Sequence, residues 1–170
     1  MFRALCLSFV ICGVAFMLAS CGFTPMYAKQ DATSESVNFT LRNVEIDKIP
    51  DREGQLLRNK LIDRFYQNGF PDEPQYVLKV SPIVETLKDL DVTITSDTTR
   101  AQLKLTSQFA LVDLESNKVV LERQLQSINS YNVLGSEFAT RVTERSTRDN
   151  ALEDLARQIE RDIALFVKMR

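Results

Sequence analysis

Apolar residues recur at the spacing of an amphipathic helix in two stretches of the chain. The first stretch lies between Pro50 and Gly69, with Asp51 as a candidate N-cap and Gly69 as a candidate C-terminal cap. The second begins near Ser136, a candidate cap, and contains a polar run at 143–150. This polar run is compatible with one helix whose middle is solvated, or with two helices that meet near the end of the run. We predict one helix. The apolar positions are Leu57, Leu61, Ile62, Phe65 and Tyr66 in the first helix, and Leu152, Leu155, Ile159, Ile163, Phe166 and Val167 in the second.

Elsewhere the chain alternates apolar and polar residues, which predicts β-strands. Pro82 interrupts one strand and argues for an edge position or a bulge. Turn-forming residues lie at 96–99 and at 115–118, and the second group predicts a hairpin. The residues that alternate with the apolar ones in this hairpin are mostly polar, so one face of the sheet meets water or a polar partner. The four predicted strands are 37–46 (with an irregularity at Asn43), one that Pro82 interrupts between 76–80 and a segment through Val92 and Ile94, 101–111 and 119–125.

The order of these elements is strand, helix, several strands and a final helix. It predicts an α+β fold, a two-layer sandwich in which a four-stranded mixed sheet carries two helices on one face. If the first two strands are neighbours, the strand–helix–strand unit is parallel and right-handed.

The N-terminal segment has the three-part layout of a secretory signal. Arg3 precedes an uncharged run at 4–18, and small residues lead to Ser20 and Cys21. This pattern predicts a lipoprotein signal that is cleaved between Ser20 and Cys21, with acyl chains added to Cys21. A transmembrane helix is the alternative, but the run is shorter than the roughly 20 residues that a bilayer span needs.

Cleavage at this site would leave Cys21 as the only cysteine, because Cys6 and Cys12 lie in the removed segment. Without a second thiol no disulfide forms, and stability must come from an ordinary apolar core. The length of the remaining chain fits one domain. The predicted organisation is a cleaved signal peptide at 1–20, a lipidated tether at 21–36 and a single α+β domain at 37–170.

Charge and composition exclude several functions. The mature chain would have 20 Lys and Arg (21 without Arg3) against 23 Asp and Glu, a net charge of −3 with no basic run, which argues against nucleic-acid binding. The chain has no histidine, and with Cys21 lipidated it would have no free thiol, so Cys/His and Ser/His nucleophile arrangements are excluded. It also lacks a glycine-rich phosphate loop. We therefore predict no catalytic residues, no cofactor and no metal site.

The carboxylate pairs Glu85/Asp89 and Asp149/Glu153 are the remaining candidates for acid–base chemistry. Such pairs are far more often part of a solvated face, and we favour that interpretation. The acidic residues around Asp89 also lack the glycine and glutamate of a calcium loop.

Other polar residues are candidates for binding. Basic residues of the second helix, including Arg141, could meet phosphates, although ion pairs along the helix account for them as well. A diffuse anion-binding edge is a second candidate, with a solvated face as its alternative. Tyr131, in the polar cluster 130–132, could be a buried hydrogen-bond anchor or a partner contact. The candidate contacts with a binding partner are Arg100, Lys104, Lys118, Tyr131 and Arg141.

The residues around the anchor, 21–27 (CGFTPMY), resemble the mature start of the lipopolysaccharide-assembly lipoprotein family, LptE, in its alpha-proteobacterial form. Further segments fit the family in the same order: 49–55 (IPDREGQ), 130–132 (SYN), 138–140 (FAT) and 151–159. The resemblance extends over the whole chain. The polar run 144–149 departs from it, since the family usually has more alanine there.

This resemblance implies an outer-membrane lipoprotein that sits inside the barrel of LptD. There it would act as a plug and assembly factor while lipopolysaccharide reaches the cell surface. A barrel lumen is polar and wet, which fits a plug with a hydrophilic exterior. Gly22, in place of an aspartate after Cys21, fits export to the outer membrane. The implied partners are an LptD-like barrel, lipopolysaccharide and the outer membrane itself, through the acyl anchor on the periplasmic side.

Two other functions are compatible with parts of the sequence. An auxiliary lipoprotein of a phospholipid-transport system would share the anchor, the size and the α+β composition, and it predicts an apolar groove and partners in the inner membrane. A hydrolase that uses Glu85 or Asp89 would lose activity on Glu85→Gln or Asp89→Asn. The absence of histidine makes the hydrolase the weakest of these hypotheses.

Overall fold

A computed structural model of the protein describes residues 40–66, 69–92 and 98–169. The predicted signal peptide at 1–20 and tether at 21–36 lie outside these residues. The described strands and helices, in chain order, are β1 (Val44–Ile46), α1 (Asp51–Phe65), β2 (Tyr76–Val80), β3 (Val84–Val92), β4 (Thr98–Asp113), β5 (Lys118–Asn132) and α2 (Glu137–Lys168).

The strands form one mixed sheet around β4, the longest of them. β5 pairs antiparallel with one edge of β4 along nearly its whole length. The other edge of β4 pairs first with β3 and then with β2, both antiparallel, and β1 adds to β2 in parallel. The predicted α+β sandwich is therefore confirmed, and so is the parallel pairing of the first two strands.

The sheet has five strands where four were predicted, because β2 and β3 share one edge of β4. The chain leaves the sheet between them, at Ser81–Pro82–Ile83. Proline has no N–H to donate to the neighbouring strand, so pairing stops there. The hydroxyl of Ser107 instead donates to the carbonyl of Ser81 at 2.8 Å. Across its width the sheet still has four positions: β1, then β2 with β3, then β4 and β5.

The predicted first strand, 37–46, is wrong over residues 40–43. The backbone turns there, with the N–H of Asn43 donating to the carbonyl of Thr40 at 3.0 Å, and β1 begins only at Val44. Residues 37–39 lie outside the described part. The apolar alternation across this segment therefore reflects a buried Leu41 in a helical turn followed by a short strand.

Of β3, only the C-terminal end at Val92 was predicted to be a strand. β3 begins at Val84, and its register shifts near Asp89 and Asp91, so its apolar residues do not alternate. Thr98 and the residue after it belong to β4, which corrects the turn predicted through position 99; positions 94, 96 and 97 lie outside the described residues. The predicted hairpin is confirmed, but its turn lies at 114–117 and Lys118 already belongs to β5. Oδ1 of Asp113 accepts from the N–H groups of Glu115 and Ser116, both at 2.9 Å.

Both helices pack on one face of the sheet and enclose the core. Each large side chain buried there contributes about 1.5–3 kcal/mol relative to exposure. α2 is a single helix, as predicted. Its polar run is accommodated because Thr147 is buried and donates its hydroxyl hydrogen to the carbonyl of Thr143 at 2.8 Å. The largest fully buried side chains include Leu57, Leu61, Leu78, Leu103, Leu105, Phe109, Leu111, Leu125, Leu152 and Leu155.

The helix ends differ in part from the predicted caps. α1 begins after Pro50, which is extended and has no capping side chain, and Asp51 itself has φ +66°, so the N-cap role predicted for Asp51 is wrong. Ser136 does precede α2, but its side chain makes no capping bond. Thr140, in the first turn of α2, instead binds the loop before the helix: its Oγ1 accepts from the N–H of Leu134 at 2.9 Å. Gly69 has φ +112° and closes the turn that follows α1, rather than the helix itself.

Gly54 lies where α1 crosses the segment that follows β1, and replacing it with alanine is expected to destabilise the protein by about 1–3 kcal/mol. A Cβ atom there would stand 2.7 Å from Cγ2 and 3.0 Å from the carbonyl carbon of Ile49, which is itself buried. This clash outweighs the roughly 1 kcal/mol that alanine adds inside a helix. Gly135→Ala is the matched control, since nothing lies within 4 Å of its added Cβ. Urea unfolding of both variants measures the difference, and equal stabilities would contradict the close approach.

Candidate functional site

The sheet has a face that no described helix covers, and we call it the outer face. Along β4, Leu103 and Leu105 point toward the helices and are fully buried, whereas Lys104 between them points away. Because paired strand residues share a face, the cross-strand register extends this assignment to β3 and β5. The polar side chains of the outer face are Thr86, Lys88, Gln102, Lys104, Thr106, Gln108, Glu122, Gln124, Gln126, Ser130 and Asn132.

Two of the five candidate contact residues share this face. Arg100 and Lys104 stand four residues apart on β4, and Lys104 is flanked in register by Thr86 and Ile128. Lys118 is paired with Asp113 at the opposite end of the hairpin, 13 residues along β4 from Arg100, or roughly 40 Å away. The structure therefore does not bring Lys118 into a common anion site with the other two.

Tyr131 and Arg141 lie elsewhere. Tyr131 points toward the helices and is only 9% exposed, and burial raises the pKa of its phenol, as do the nearby carboxylates of Glu144 and Asp89. This position favours the structural interpretation of Tyr131 over a partner contact. Arg141 lies on the first turns of α2, three-quarters exposed, and forms an ion pair with Glu137 one turn earlier. Such exposed pairs contribute little to stability.

In the first candidate carboxylate pair, Glu85/Asp89, Glu85 is part of an ion-pair cluster. The guanidinium of Arg148 on α2 holds both oxygens of Glu85, with Nε–Oε2 and Nη2–Oε1 each at 2.6 Å. Nη2 also donates to Glu144 at 2.7 Å. The hydrogen bonds to Glu85, offset in part by burial, raise the pKa of Arg148. Glu85 therefore links the edge strand β3 to α2. This structural role explains why a carboxylate lies at this position, and no catalytic role is needed.

The second pair, Asp149/Glu153, lies in a network between the two helices. Lys60 Nζ lies 3.0 Å from Asp149 Oδ1 and 3.3 Å from Glu153 Oε2. Arg64 bridges Glu153 and Glu160, the latter at 2.6 Å. The hydrogen bond from Arg64 is the main cause of the lowered pKa of Glu153. A carboxyl that acts as a general acid or base near neutral pH needs a raised pKa, so this arrangement does not favour catalysis.

The α1–β1 connection shows contacts that sequence reasoning did not identify. The hydroxyl of Tyr66 donates to the carbonyl of Val44 at 2.8 Å and accepts from the N–H of Ile46 at 3.0 Å. Arg58 also reaches the carbonyl of Ile46, at 3.2 Å. The helical periodicity placed Tyr66 on the buried side of α1, but no local signal indicated the strand that it would bind.

Two surface grooves flank α2. One lies between β5 and the C-terminal turns of α2, where Val119, Leu165 and Met169 are exposed beside Glu122, Arg123 and Asp162. The other lies between the N-terminal halves of α1 and α2 and has a volume of about 930 Å³. We call the second one the helix groove. Its lining residues are Arg52, Glu53, Leu56, Arg141, Val142, Arg145, Ser146, Arg148, Asp149 and Leu152.

Two kinds of feature are absent from residues 40–66, 69–92 and 98–169. None of the helices there is both long and apolar enough to span a bilayer. In the same residues, no three Asp, Glu, Cys or His side chains are grouped so that they could hold a metal ion.

Comparison with known proteins identifies the family. The sequence model of the lipopolysaccharide-assembly family LptE matches residues 41–165, which is most of the chain. An uncharacterised protein of Rickettsia prowazekii, RP188, is 23% identical over 150 residues, a match that covers 88% of this chain and 90% of the relative.

Solved structures of lipoproteins share the fold. A putative lipoprotein from Caulobacter crescentus superposes with a TM-score of 0.62 at 19% identity, covering 80% of this chain and 98% of the other. A minor lipoprotein from Acinetobacter baumannii gives a TM-score of 0.55 at 23% identity, covering 72% and 90%. At these identities the structural similarity shows only a shared fold. The family is shown by the match of the LptE sequence model. The chain belongs to the LptE family of lipopolysaccharide-assembly lipoproteins.

Proposed function

We propose that the protein is an outer-membrane lipoprotein that sits inside an LptD-like barrel as a plug and assists the assembly of that barrel. In this role it supports the transport of lipopolysaccharide to the cell surface. Membership of the LptE family supplies the general function, lipopolysaccharide assembly. The observation that carries the more specific role is the polar outer face of the sheet.

The outer face suits a wet, polar surrounding. Its side chains are mainly amides, hydroxyls and lysines, and Gln108, Gln124 and Gln126 are exposed along the paired strands. A barrel lumen is lined by polar groups and water, so amide side chains can exchange hydrogen bonds with it. An apolar docking face would instead leave the polar groups of the lumen without partners.

Arg100 and Lys104 are our candidates for lipopolysaccharide contacts. Both are on the outer face, within one short stretch of β4. Charge-assisted hydrogen bonds from guanidinium and ammonium groups are strong binders of phosphate. The family's role in lipopolysaccharide assembly makes the phosphates of that lipid the expected anions.

The anchor completes the proposal. Cleavage between Ser20 and Cys21 and acylation of Cys21 would fix the chain to the membrane, because two or more acyl chains anchor stably. The tether at 21–36 would span at most roughly 50 Å. Gly22 after the lipidated cysteine fits the outer membrane, with the domain on its periplasmic side.

We propose no enzymatic activity for this chain. The LptE family is a family of non-catalytic lipoproteins. Glu85, Asp149 and Glu153 of the candidate carboxylate pairs form ion pairs with arginine or lysine side chains of another element. These ion pairs account for the carboxylates as structural links.

Purification of the full lipoprotein in mild detergent, followed by mass spectrometry, tests the plug role. We expect a large outer-membrane barrel protein in stoichiometric amount. Gln124→Leu with Gln126→Leu should lower barrel recovery about fivefold or more, since each lost hydrogen bond is worth about 1 kcal/mol. Gln55→Leu with Asn59→Leu, an equally exposed pair on α1, is the matched control. Recovery of inner-membrane transporter subunits without a barrel would instead establish the phospholipid-transport alternative.

A further inference from the structure

We infer that the helix groove binds an acidic, aliphatic segment of the protein partner. The groove is formed by the first turns of α1 and the N-terminal half of α2, on the side of the molecule opposite the outer face of the sheet. This inference rests on the proposed function, because it takes the partner to be the barrel. It adds which surface of this chain docks and which chemistry the docking segment has.

Two arginines of the groove form no ion pair with the residues that the structure describes. Arg52 comes from α1 and Arg145 from α2, both are exposed, and neither forms an ion pair within the described residues. The other lining charges are mostly engaged: Arg141 with Glu137, Arg148 with Glu85 and Glu144, and Asp149 with Lys60, as the contacts between these elements show.

Charge complementarity therefore selects an anionic occupant. Glu53 is the one lining carboxylate of the groove for which no ion pair is found in the described part of the chain. Guanidinium groups match a carboxylate with two parallel N–H···O bonds, which gives direction as well as attraction. Arg52 and Arg145 approach from different helices, so they can hold one or two carboxylates across the groove.

The walls between these arginines are aliphatic. Leu56 on α1 is 39% exposed and Val142 on α2 is 53% exposed, so both apolar side chains are available for contact with an occupant of the groove. Phe138, 78% exposed, precedes Val142 by one turn, and Arg145 follows by almost one turn. Residues at this spacing share one side of a helix, so α2 presents a ridge of two apolar residues and a cation.

This combination fits a peptide better than a lipid. Burial of an acyl chain contributes about 0.8 kcal/mol for each CH₂, so a lipid site needs a continuous apolar wall that covers the whole chain. Here the aliphatic side chains are separated by Arg52, Glu53, Arg145 and Asp149. Alternating aliphatic and acidic side chains on a helix or strand would match such a surface residue by residue.

The test uses the purified complex of the full lipoprotein with its barrel. We expect Arg52→Glu with Arg145→Glu to shorten the lifetime of the complex at least about tenfold, or ~1.4 kcal/mol. Arg161→Glu with Lys168→Glu, the same charge change at exposed positions on the C-terminal half of α2, should have little effect. Thermal unfolding of each free variant shows that the fold is intact. A photo-crosslinking residue at Val142 should label a segment of the barrel that contains Asp or Glu.

Each contrary result has a distinct meaning. A charge-reversed variant whose complex is as long-lived as the wild type would overturn the groove inference and leave the plug proposal standing. A crosslink from position 142 to lipopolysaccharide, with none to the barrel, would also overturn the inference. If the wild-type chain forms no complex with a barrel, both the plug proposal and the inference are wrong.

Discussion

Replacing Cys21 with alanine is expected to abolish acylation of the protein and with it the lipid anchor. The predicted lipid is attached only through this thiol and the amine that cleavage exposes, so its loss removes every acyl chain. Each buried CH₂ contributes about 0.8 kcal/mol, and loss of two or three chains leaves no stable anchor. Carbonate-washed membranes and mass spectrometry of the mature N-terminus measure the effect.

Cys6→Ala and Cys12→Ala are the matched controls for this experiment. Both cysteines lie in the segment that cleavage would remove, so the mature protein should be identical to the wild type and remain in the membrane. If mass spectrometry instead finds the wild-type protein without acyl chains on Cys21 and with residues 1–20 still attached, the N-terminal segment is itself the anchor and the lipoprotein prediction is wrong.

Replacing Arg148 with methionine is expected to lower the free energy of unfolding by about 2–3 kcal/mol. Methionine keeps much of the side chain's length and apolar contact but leaves Glu85 and Glu144 without their cation. Both carboxylates are only about a quarter exposed, so water compensates them poorly. The cost is below the 3–5 kcal/mol of fully buried pairs because this cluster keeps some solvent contact. Urea unfolding of the Cys21→Ser chain, produced without lipid, measures it.

Arg161→Met provides the comparison for Arg148→Met. Arg161 is 64% exposed and its nearest carboxylate, Asp162, is 3.8 Å away, so we expect a change below about 0.5 kcal/mol. A double-mutant cycle with Glu85→Gln isolates the bond between β3 and α2. Effects of Glu85→Gln and Arg148→Met that simply add would mean that the two side chains do not stabilise each other, contrary to their geometry.

Periodicity predicted the elements whose faces differ in environment. α1, α2 and the β4–β5 hairpin each bury one side and expose the other. Apolar and polar residues therefore recur in the sequence with the period of the helix or strand. β3 was largely missed for the opposite reason. It lies at an edge, with Val84 and Leu87 at least half exposed and its register shifted near Asp89, so it has no regular apolar side.

The sequence also could not show where the candidate site residues would lie relative to one another. Lys104, Tyr131 and Lys118 are similar candidates in the sequence, but the structure puts Lys104 on the outer face, Tyr131 inside and Lys118 at the far end of the hairpin. The sequence offered two candidate carboxylate pairs but did not indicate which side chains Glu85, Asp149 and Glu153 would pair with. Arg148 pairs with Glu85, which is 63 residues away in the sequence, and Arg64 pairs with Glu160, which is 96 residues away.

The sequence by itself determined the α+β class, the two helices, the central hairpin with its polar face and the resemblance to the LptE family. These follow from local periodicity and short motifs, which are properties of neighbouring residues. Only the tertiary structure decided that β2 and β3 share one edge of β4, that the acidic residues pair with Arg64 and Arg148, and that Arg52 and Arg145 face one groove. Such contacts join residues far apart in the chain, and their choice depends on how whole elements pack.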